Sequence, residues 1–477
     1  MTGRRDPQGR NGPNCAVFDV GKSFAKLSVV APGGAILAER RIPTPQLNTP
    51  HYAAIDTDAI LAWALKQLAA FADLNIDRIM PVAHGAACAF IDEAGQLAAP
   101  VQDYEFAIPQ PYADDYAQTR PAFEETLSPA LPRGLNLGAQ IWWFSRRDPA
   151  AFARVRHILT YPQYWAWRLG GAMACEVTSL GCHSDLWSPR EARFSSLARA
   201  EGWADRFGPV RPAWETAGTI SAAVARATGL KPGTRVHVGV HDSNAALAAL
   251  LSGWPADREP PALLSTGTWF IAMAPGGSLD GLQAGRDCLG AVDVFGRPLP
   301  CARFMGGRAF EIITGGTPAM SGGHLDVDTH TLSDVMHDAA LALPSFLDAG
   351  GPYPGLRGEI RGLKNDTPQT RTALGLLYQA LLSTTCLDMI QSGRDLLIEG
   401  VAAKNPLLCG LIAALHDGPV YCNAATSAVT TGAAALARYG EALPPRVLHR
   451  RVRPLLMPDM QAYRRLWTSA VTEAVAA

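Results

Sequence analysis

Twice in this chain an apolar, β-branched run breaks at a small-residue turn and resumes as a second run of the same kind. The first copy is residues 15–30, CAVFDVGKSFAKLSVV, and the second is residues 262–273, ALLSTGTWFIAM. Such a pattern predicts two strands joined by a tight hairpin. A hairpin recurring at the start of each half predicts two related α/β lobes. At 477 residues the chain also exceeds what one hydrophobic core usually serves. The clearest linker, SGWPADREPP at 252–261, stands directly before the second copy, and the domain boundary is placed there. The expected lobes are residues 14–251 and 261–445, followed by a C-terminal tail over 446–477 with a terminal helix.

The first turn, Gly21-Lys22-Ser23, has the ending of a Walker A loop. Ala16 stands where the earlier glycine of that motif belongs, and the residues between are strand-like, so the P-loop reading is poor. A hairpin with an acid, Asp19, near its end and backbone N–H groups at its tip offers a different chemistry. Successive turn amides bind anions, and a carboxylate is a hard ligand for Mg²⁺. An ordinary hairpin with a surface aspartate remains open from these residues alone.

Composition narrows the class. A net charge of -1 with 18% charged residues gives no electrostatic case for nucleic acid or an anionic membrane. Nine cysteines without a Cys-x-x-Cys pair point to reduced, buried thiols in a cytoplasmic protein. Cys175, Cys182-His183 and His157 fit no zinc spacing. Residues 1–14 are polar, lack an apolar core and read as a disordered leader rather than a signal peptide. Nowhere does the chain offer the roughly 18 uninterrupted apolar residues of a membrane helix.

Along the chain, Asp56 or Thr57 caps a predicted helix with Leu61, Leu65, Leu68 and Ala72 on one face. Residues 79–83 read as a buried strand with His84-Gly85 at its C-terminal end, where open α/β sheets meet ligands. Residues 100–106 (PVQDYEF) are extended, with Asp103 and Glu105 beside Tyr104. Residues 134–143 and 149–169 read as helices, and 181–187 as a polar loop. A strand over 235–240 runs into His241-Asp242-Ser243-Asn244 and a helix over 245–251. Asp242, at a strand tip and a helix start, suits a general base; as a plain N-cap it needs no function. Later come a long helix over 372–392 and a strand over 396–398. A small-residue turn over 399–405 and a helix over 406–415 complete a layout that lets backbone approach a nucleotide. A strand over 420–422 and an Ala-rich helix over 430–439 follow.

Together these residues resemble the FGGY carbohydrate kinases, from about residue 14 to about residue 439 and with the motifs in order. The resemblance implies the actin/hexokinase-like (ribonuclease H-like) two-lobed ATPase fold with an interdomain active-site cleft. Asp19-x-Gly21 with Ser23 and Lys26 is similar to the first phosphate motif, with Lys22 where the family usually has Thr. His84-Gly85 and Asp103 stand at sugar-side positions, although the tryptophan and arginine common around the acid are absent. Val240-His241-Asp242 is similar to the family's Gly-His-Asp, which carries the base. Ser265-Thr266-Gly267-Thr268-Trp269 is similar to the second phosphate motif, in a form most like rhamnulokinases. Gly400 and Asn405 match the adenosine motif in part, its usual glycine triplet being Gly400-Val401-Ala402 here.

What the resemblance implies is transfer of the γ-phosphate of ATP, with Mg²⁺, to a ketose hydroxyl. Asp242 is expected as base and Asp19 as metal ligand. Gly21, Lys22, Ser23, Gly267, Thr268, Gly400 and Asn405 are expected around the nucleotide. His84, Asp103, Glu105 and His241 are expected around the sugar. An L-rhamnulose or L-fuculose type acceptor stands slightly ahead of ribulose or xylulose. The expected partners are a small-molecule ketose, no nucleic acid and no membrane, with a homodimer left open. A silent sugar-binding regulator on the same fold predicts loss of the acids, and Asp19 and Asp242 are both present. A serine hydrolase using Ser243 or Ser265 with His241 lacks the Gly-x-Ser-x-Gly elbow.

Overall fold

The computed structural model describes residues 13–252, 254–255, 257–316, 327–347, 350–423, 428–441 and 449–476. The leader expected over 1–14 lies outside these except for Pro13 and Asn14, and Asn14 is already a buried residue of the first strand. Contacts divide the chain into two units. The first draws on Met1–Gly253, Gly290–Arg297 and Ser427–Arg446; the second draws on Trp254–Leu289, Pro298–Thr426 and Val447–Ala477. The chain therefore returns to the first unit twice, at segments the sequence reading assigns to the second lobe. The expected tail is part of the second unit's core: helix Met460–Ala476 buries Tyr463 and Trp467. Their Oη and Nε1 donate to the carbonyls of Ala340 at 2.6 Å and Ala342 at 2.8 Å.

Both hairpins form, each within the sheet of its own unit, and the two sheets follow one plan. In the first unit, Asn14–Val20 pairs antiparallel with Phe24–Val30, which pairs antiparallel with Ile36–Pro43. On its other side lie Ile76–Ala83 and Arg235–His237, both parallel, then Thr216–Thr219, antiparallel. In the second unit, Ala262–Thr266 pairs antiparallel with Phe270–Met273, which pairs antiparallel with Pro298–Phe304. On its other side lie Leu396–Gly400 and Val420–Asn423, both parallel, then Arg450–Arg451, antiparallel. Six strands thus recur in one order with one set of senses. The central strands are apolar almost throughout because helices cover both faces of such sheets, so alternation disappears.

Local departures from the sequence reading have identifiable causes. Helix Thr57–Ala70 is capped by the Asp56 carboxylate, which accepts from the Ala59 amide at 2.9 Å. It buries Thr57, Ile60, Ala64 and Leu68, a face rotated from the expected Leu61–Leu65 stripe. The helix expected over 149–169 is three elements: helix Pro149–Ala153, strand Val155–Thr160 and helix Tyr161–Leu169. Val155–Thr160 pairs antiparallel with Cys88–Asp92, and this cross-strand partner overrides the helical pattern around it. The loop 181–187 is polar but largely buried. Within it Asp185 accepts from Tyr116 Oη at 2.6 Å and Arg120 Nη2 at 2.7 Å.

Helix Asp242–Leu251 meets helix Ala428–Leu436 within the first unit. The approach is so close that a Cβ on Gly432 would stand 1.8 Å from the Ala245 carbonyl oxygen. A side chain there would have to part the two backbones. All nine cysteines are buried free thiols. Among the described residues no helix is long and apolar enough to cross a membrane.

Candidate active site

Register sets the functional end of the first unit. Asp19 lies opposite Val82, and Val82 opposite Val240; Val20 lies opposite Ala83, and Ala83 opposite His241. The next residue on each of these strands is Gly21, His84 or Asp242. The hairpin tip, the candidate sugar-side histidine and the candidate base therefore emerge level with one another. They do so at the C-terminal edge of parallel strands, the usual ligand side of an open α/β sheet.

Asp242 has one committed oxygen and one free oxygen. Its Oδ1 accepts from the Ser243 amide at 2.6 Å and from Ser243 Oγ at 3.3 Å, and lies 3.1 Å from His241 Nε2. No described residue donates to Oδ2. Withdrawal from water raises the Asp242 carboxyl to about 6, against the pull of the Ser243 bonds. Burial pushes His241 down to about 4, so its ring is neutral near pH 7. Asp19 is also raised to about 6, first by burial, with Lys26 opposing and the charge of Asp242 adding. Its Oδ2 lies 3.3 Å from Lys26 Nζ.

His84 completes the strand-end row. Its Nδ1 accepts from the Ala86 amide at 3.3 Å, which places the ring proton on Nε2. That Nε2 is buried with no partner in the structure. Burial, then the neighbouring His241, pushes His84 down to about 3. A neutral imidazole with one unmet N–H is a donor waiting for a ligand oxygen.

Lys22 pairs with the acids of the 100–106 segment. Its Nζ bonds Asp103 Oδ2 and lies 3.1 Å from Glu105 Oε2 and 5.5 Å from the centre of the Tyr104 ring. Burial disfavours its charge, yet the bonds to Asp103 and Glu105 together outweigh this and hold its pKa above the ordinary lysine value. Asp103 is buried; its Oδ1 accepts from the Glu105 amide at 2.9 Å. With its amide turned to donate, Gln46 also reaches Asp103 Oδ2 at 2.8 Å. Lys22, Asp103, Glu105 and His84, the last packed edge-on against Tyr104, therefore form one polar group. At the tip itself the Gly21 amide is spent on closing the turn, donating to Phe24 O at 3.0 Å. The amides of Lys22 and Ser23 have no backbone acceptor among the described residues. They, rather than the Gly21 amide, are the backbone donors left open at the tip.

In the second unit the Gly267 amide is likewise spent, donating to Trp269 O at 2.9 Å, and Thr268 O accepts from the Gly307 amide at 3.2 Å. The Gly400 turn is laced to this hairpin. Val401 N–H donates to Thr266 O at 3.0 Å and Ala402 N–H to Thr266 Oγ1 at 2.9 Å. Gly400 has φ +83°, and a Cβ there would lie 2.0 Å from Thr266 O, so both conformation and space demand glycine. Asn405 caps helix Pro406–Leu415, its Oδ1 accepting from the Leu408 amide at 3.1 Å. It also lines a pocket with Phe270, Phe310, Leu376, Gln379, Val401, Ala402 and Leu408. That lining is mainly apolar, with the side-chain amides of Gln379 and Asn405 as its polar groups.

Residues 131–249 match the N-terminal domain of the FGGY family of carbohydrate kinases, and residues 258–445 match carbohydrate kinase FGGY, C-terminal domain. A solved carbohydrate kinase from Novosphingobium aromaticivorans is 38% identical, with a TM-score of 0.88 over 96% of this chain and 98% of that one. The chain belongs to the FGGY family of carbohydrate kinases. Its enzyme class is that of the ATP-dependent sugar kinases, and its fold is theirs. A solved xylulose kinase from Rhodospirillum rubrum shares this fold with a TM-score of 0.75 at 18% identity, over 97% of this chain and 98% of that one. A curated relative, "Probable L-xylulose kinase" of Pasteurella multocida (strain Pm70), is 30% identical over 135 residues. That match spans 27% of this chain and 26% of the relative, about a quarter of its length.

Proposed function

We propose that this FGGY kinase transfers the γ-phosphate of ATP to a hydroxyl of a ketose, with Asp242 as the general base. The observation that carries the reading is the asymmetry of the Asp242 carboxylate. Two donors, both from Ser243, hold Oδ1, so the group is fixed in orientation, and Oδ2 is left to accept the proton of an attacking hydroxyl. Phosphoryl transfer asks the protein mainly for such positioning and for electrostatic stabilisation, not for a strong base.

The other roles follow from the surroundings of each group. Asp19 fits a divalent cation: its carboxylate is nearly buried and already works against the charge of Asp242, a strain that a cation relieves. The described residues hold no cluster of three metal-ligating side chains. Mg²⁺ suits such a site, since it keeps several waters and is commonly shared with phosphate oxygens. When bound, it supplies neutralisation of phosphate charge. The amides of Lys22 and Ser23, and the Thr268 turn of the second hairpin, are assigned to phosphate oxygens. The pocket at Asn405, beside the Gly400 turn, is assigned to the nucleotide. His84 Nε2–H and the Lys22–Asp103 pair are assigned to the sugar, a donor and a donor–acceptor couple for its oxygens. Glu105 stands at the rim of this group and His241 behind Asp242. The Lys22 side chain is thereby assigned to the sugar, while its amide stays with the phosphates.

For the acceptor, the L-xylulose kinase relative supports a pentulose, and the Thr268-Trp269 form of the second hairpin supports a deoxyketose. A coupled ADP-release assay against a panel of pentuloses and 6-deoxyketohexoses separates the two. Silence toward every ketose, or undiminished turnover in Asp242→Asn, would sink the mechanism. ADP affinity unchanged in Asn405→Ala would remove the nucleotide assignment of that pocket.

A further inference from the structure

Two residues without a role above form a buried chain that ends on the backbone immediately before Asp242. Glu176 is fully buried. Its Oε2 accepts from the Thr178 amide at 3.0 Å and from Thr178 Oγ1 at 2.5 Å. A hydroxyl has one proton, so once it is given to Glu176 the oxygen's lone pairs must face other donors. One does: the His241 amide donates to Thr178 Oγ1 at 3.1 Å. His241 is the residue that opens helix Asp242–Leu251, and its Nε2 lies 3.1 Å from Asp242 Oδ1.

The plainer account makes Glu176 the N-cap of the four-residue helix Val177–Leu180. A cap needs one acceptor oxygen, which Ser, Thr, Asp or Asn supplies with less buried polarity. Glu176 instead leaves a second oxygen, Oε1, buried without a partner. The cap also leaves the Thr178 hydroxyl unexplained, whereas the bond to His241 uses it. We propose that Glu176 and Thr178 are positioning residues for Asp242. The Glu176 carboxylate orients the Thr178 hydroxyl, and the hydroxyl pins the His241 amide and so the direction of the carboxylate that follows. The inference rests on the assignment of Asp242 as the base.

The test is a set of substitutions read by kcat, by KM for ATP and by melting temperature. Thr178→Val keeps the shape and removes the hydroxyl; kcat is expected to fall about 10²-fold, the scale of an ångström-level misplacement of a reacting group. KM for ATP should stay within about twofold. Thr178→Ser restores the hydroxyl and should recover kcat, even if it melts lower than the valine variant. The decisive measurement is the double variant. If Thr178 acts through Asp242, Thr178→Val costs nothing further in the Asp242→Asn background, whereas a merely structural role lowers kcat in both. Should Thr178→Val not fold, Glu176→Gln replaces it; its neutral amide holds the hydroxyl more weakly, and kcat should fall several-fold at an unchanged melting temperature. Wild-type kcat in Thr178→Val, or in Glu176→Gln where valine does not fold, overturns the proposal, as does equal loss in both backgrounds. Full activity in Asp242→Asn alone would instead overturn the assignment of the base.

Discussion

The two hairpins share topology and differ in what occupies matching positions. Asp19 and Ser265 each sit two residues before the turn glycine, and Lys22 and Thr268 each sit one residue after it. In the first hairpin both positions are charged and tied to other charges: Asp19 to Lys26, Lys22 to Asp103 and Glu105. In the second, Ser265 donates to the Glu399 carboxylate, and the Thr268 carbonyl accepts from a helix-start amide. One copy of the fold has become a site of charged side chains. The other has become a backbone turn fitted against a second glycine turn. The strand order is shared, and what differs between the copies is which of them carries the acids.

That contrast can be broken most severely at the strand end beside the first hairpin. Asp242→Asn should lower kcat by about 10²–10⁴-fold in the ADP-release assay. The wild-type profile should lose activity as pH falls through about 6, where both Asp242 and Asp19 take up protons. Stability runs the other way. An unfolded aspartate ionises near 3.8 and the folded Asp242 near 6, so between these values folding takes up a proton and stability drops as pH rises. Asp242→Asn should therefore melt no lower than wild type at pH 7.5, where the wild type holds that charge against burial. Next in size, Asp19→Asn should cost about 10²-fold in kcat and raise the Mg²⁺ concentration needed for half-maximal rate. A rate insensitive to this change would remove the charged character of the first hairpin from the mechanism.

In the second copy, Gly400→Ala forces a side chain into a positive-φ turn and against Thr266 O. About 1–3 kcal/mol of strain should appear as a lower melting temperature and a raised KM for ATP. An unchanged KM for ATP would separate that turn from the nucleotide. Lys22→Thr, which gives the first tip a hydroxyl like the second, should raise KM for the ketose about tenfold, or ~1.4 kcal/mol, and leave KM for ATP alone. The opposite split would return Lys22 to the phosphates. Smallest of all, Ser265→Ala, the counterpart of the Asp19 change, removes one hydrogen bond to Glu399. It should lower stability by ~1 kcal/mol with little effect on turnover.

The hairpins, the strand before His84 and the strand–helix junction at Asp242 were legible in the sequence because each is encoded by neighbours a few residues apart. What escaped depends on distance along the chain. Lys22 meets Asp103 across 81 residues, and no local pattern names that partner. Strand Val155–Thr160 was hidden by the aromatic helical pattern around it until Cys88–Asp92 provided an edge to pair with. Glu176 and Thr178 were visible only as polar residues before a loop. Their meaning lies in a bond from Thr178 to a backbone amide 63 positions later. The excursions at 290–297 and 427–446 carry no composition change: the first is a strand end and a turn and the second is mainly helix Ala428–Leu436, elements that read alike in either unit.

The contact at Gly432 also bears on when the protein can become active during its synthesis. The helix that begins with Asp242 is completed by a helix almost two hundred residues later, pressed onto the Ala245 carbonyl. From the same late stretch, the Ala437 carbonyl and the Glu441 carboxylate receive Arg78, from the strand that ends at the His84 row. A nascent chain that has emerged through residue 253 therefore has the acids but not the surface against which they are set. Chains that end before this stretch lack the backbone on which the Asp242 helix packs, and are expected to show no kinase activity.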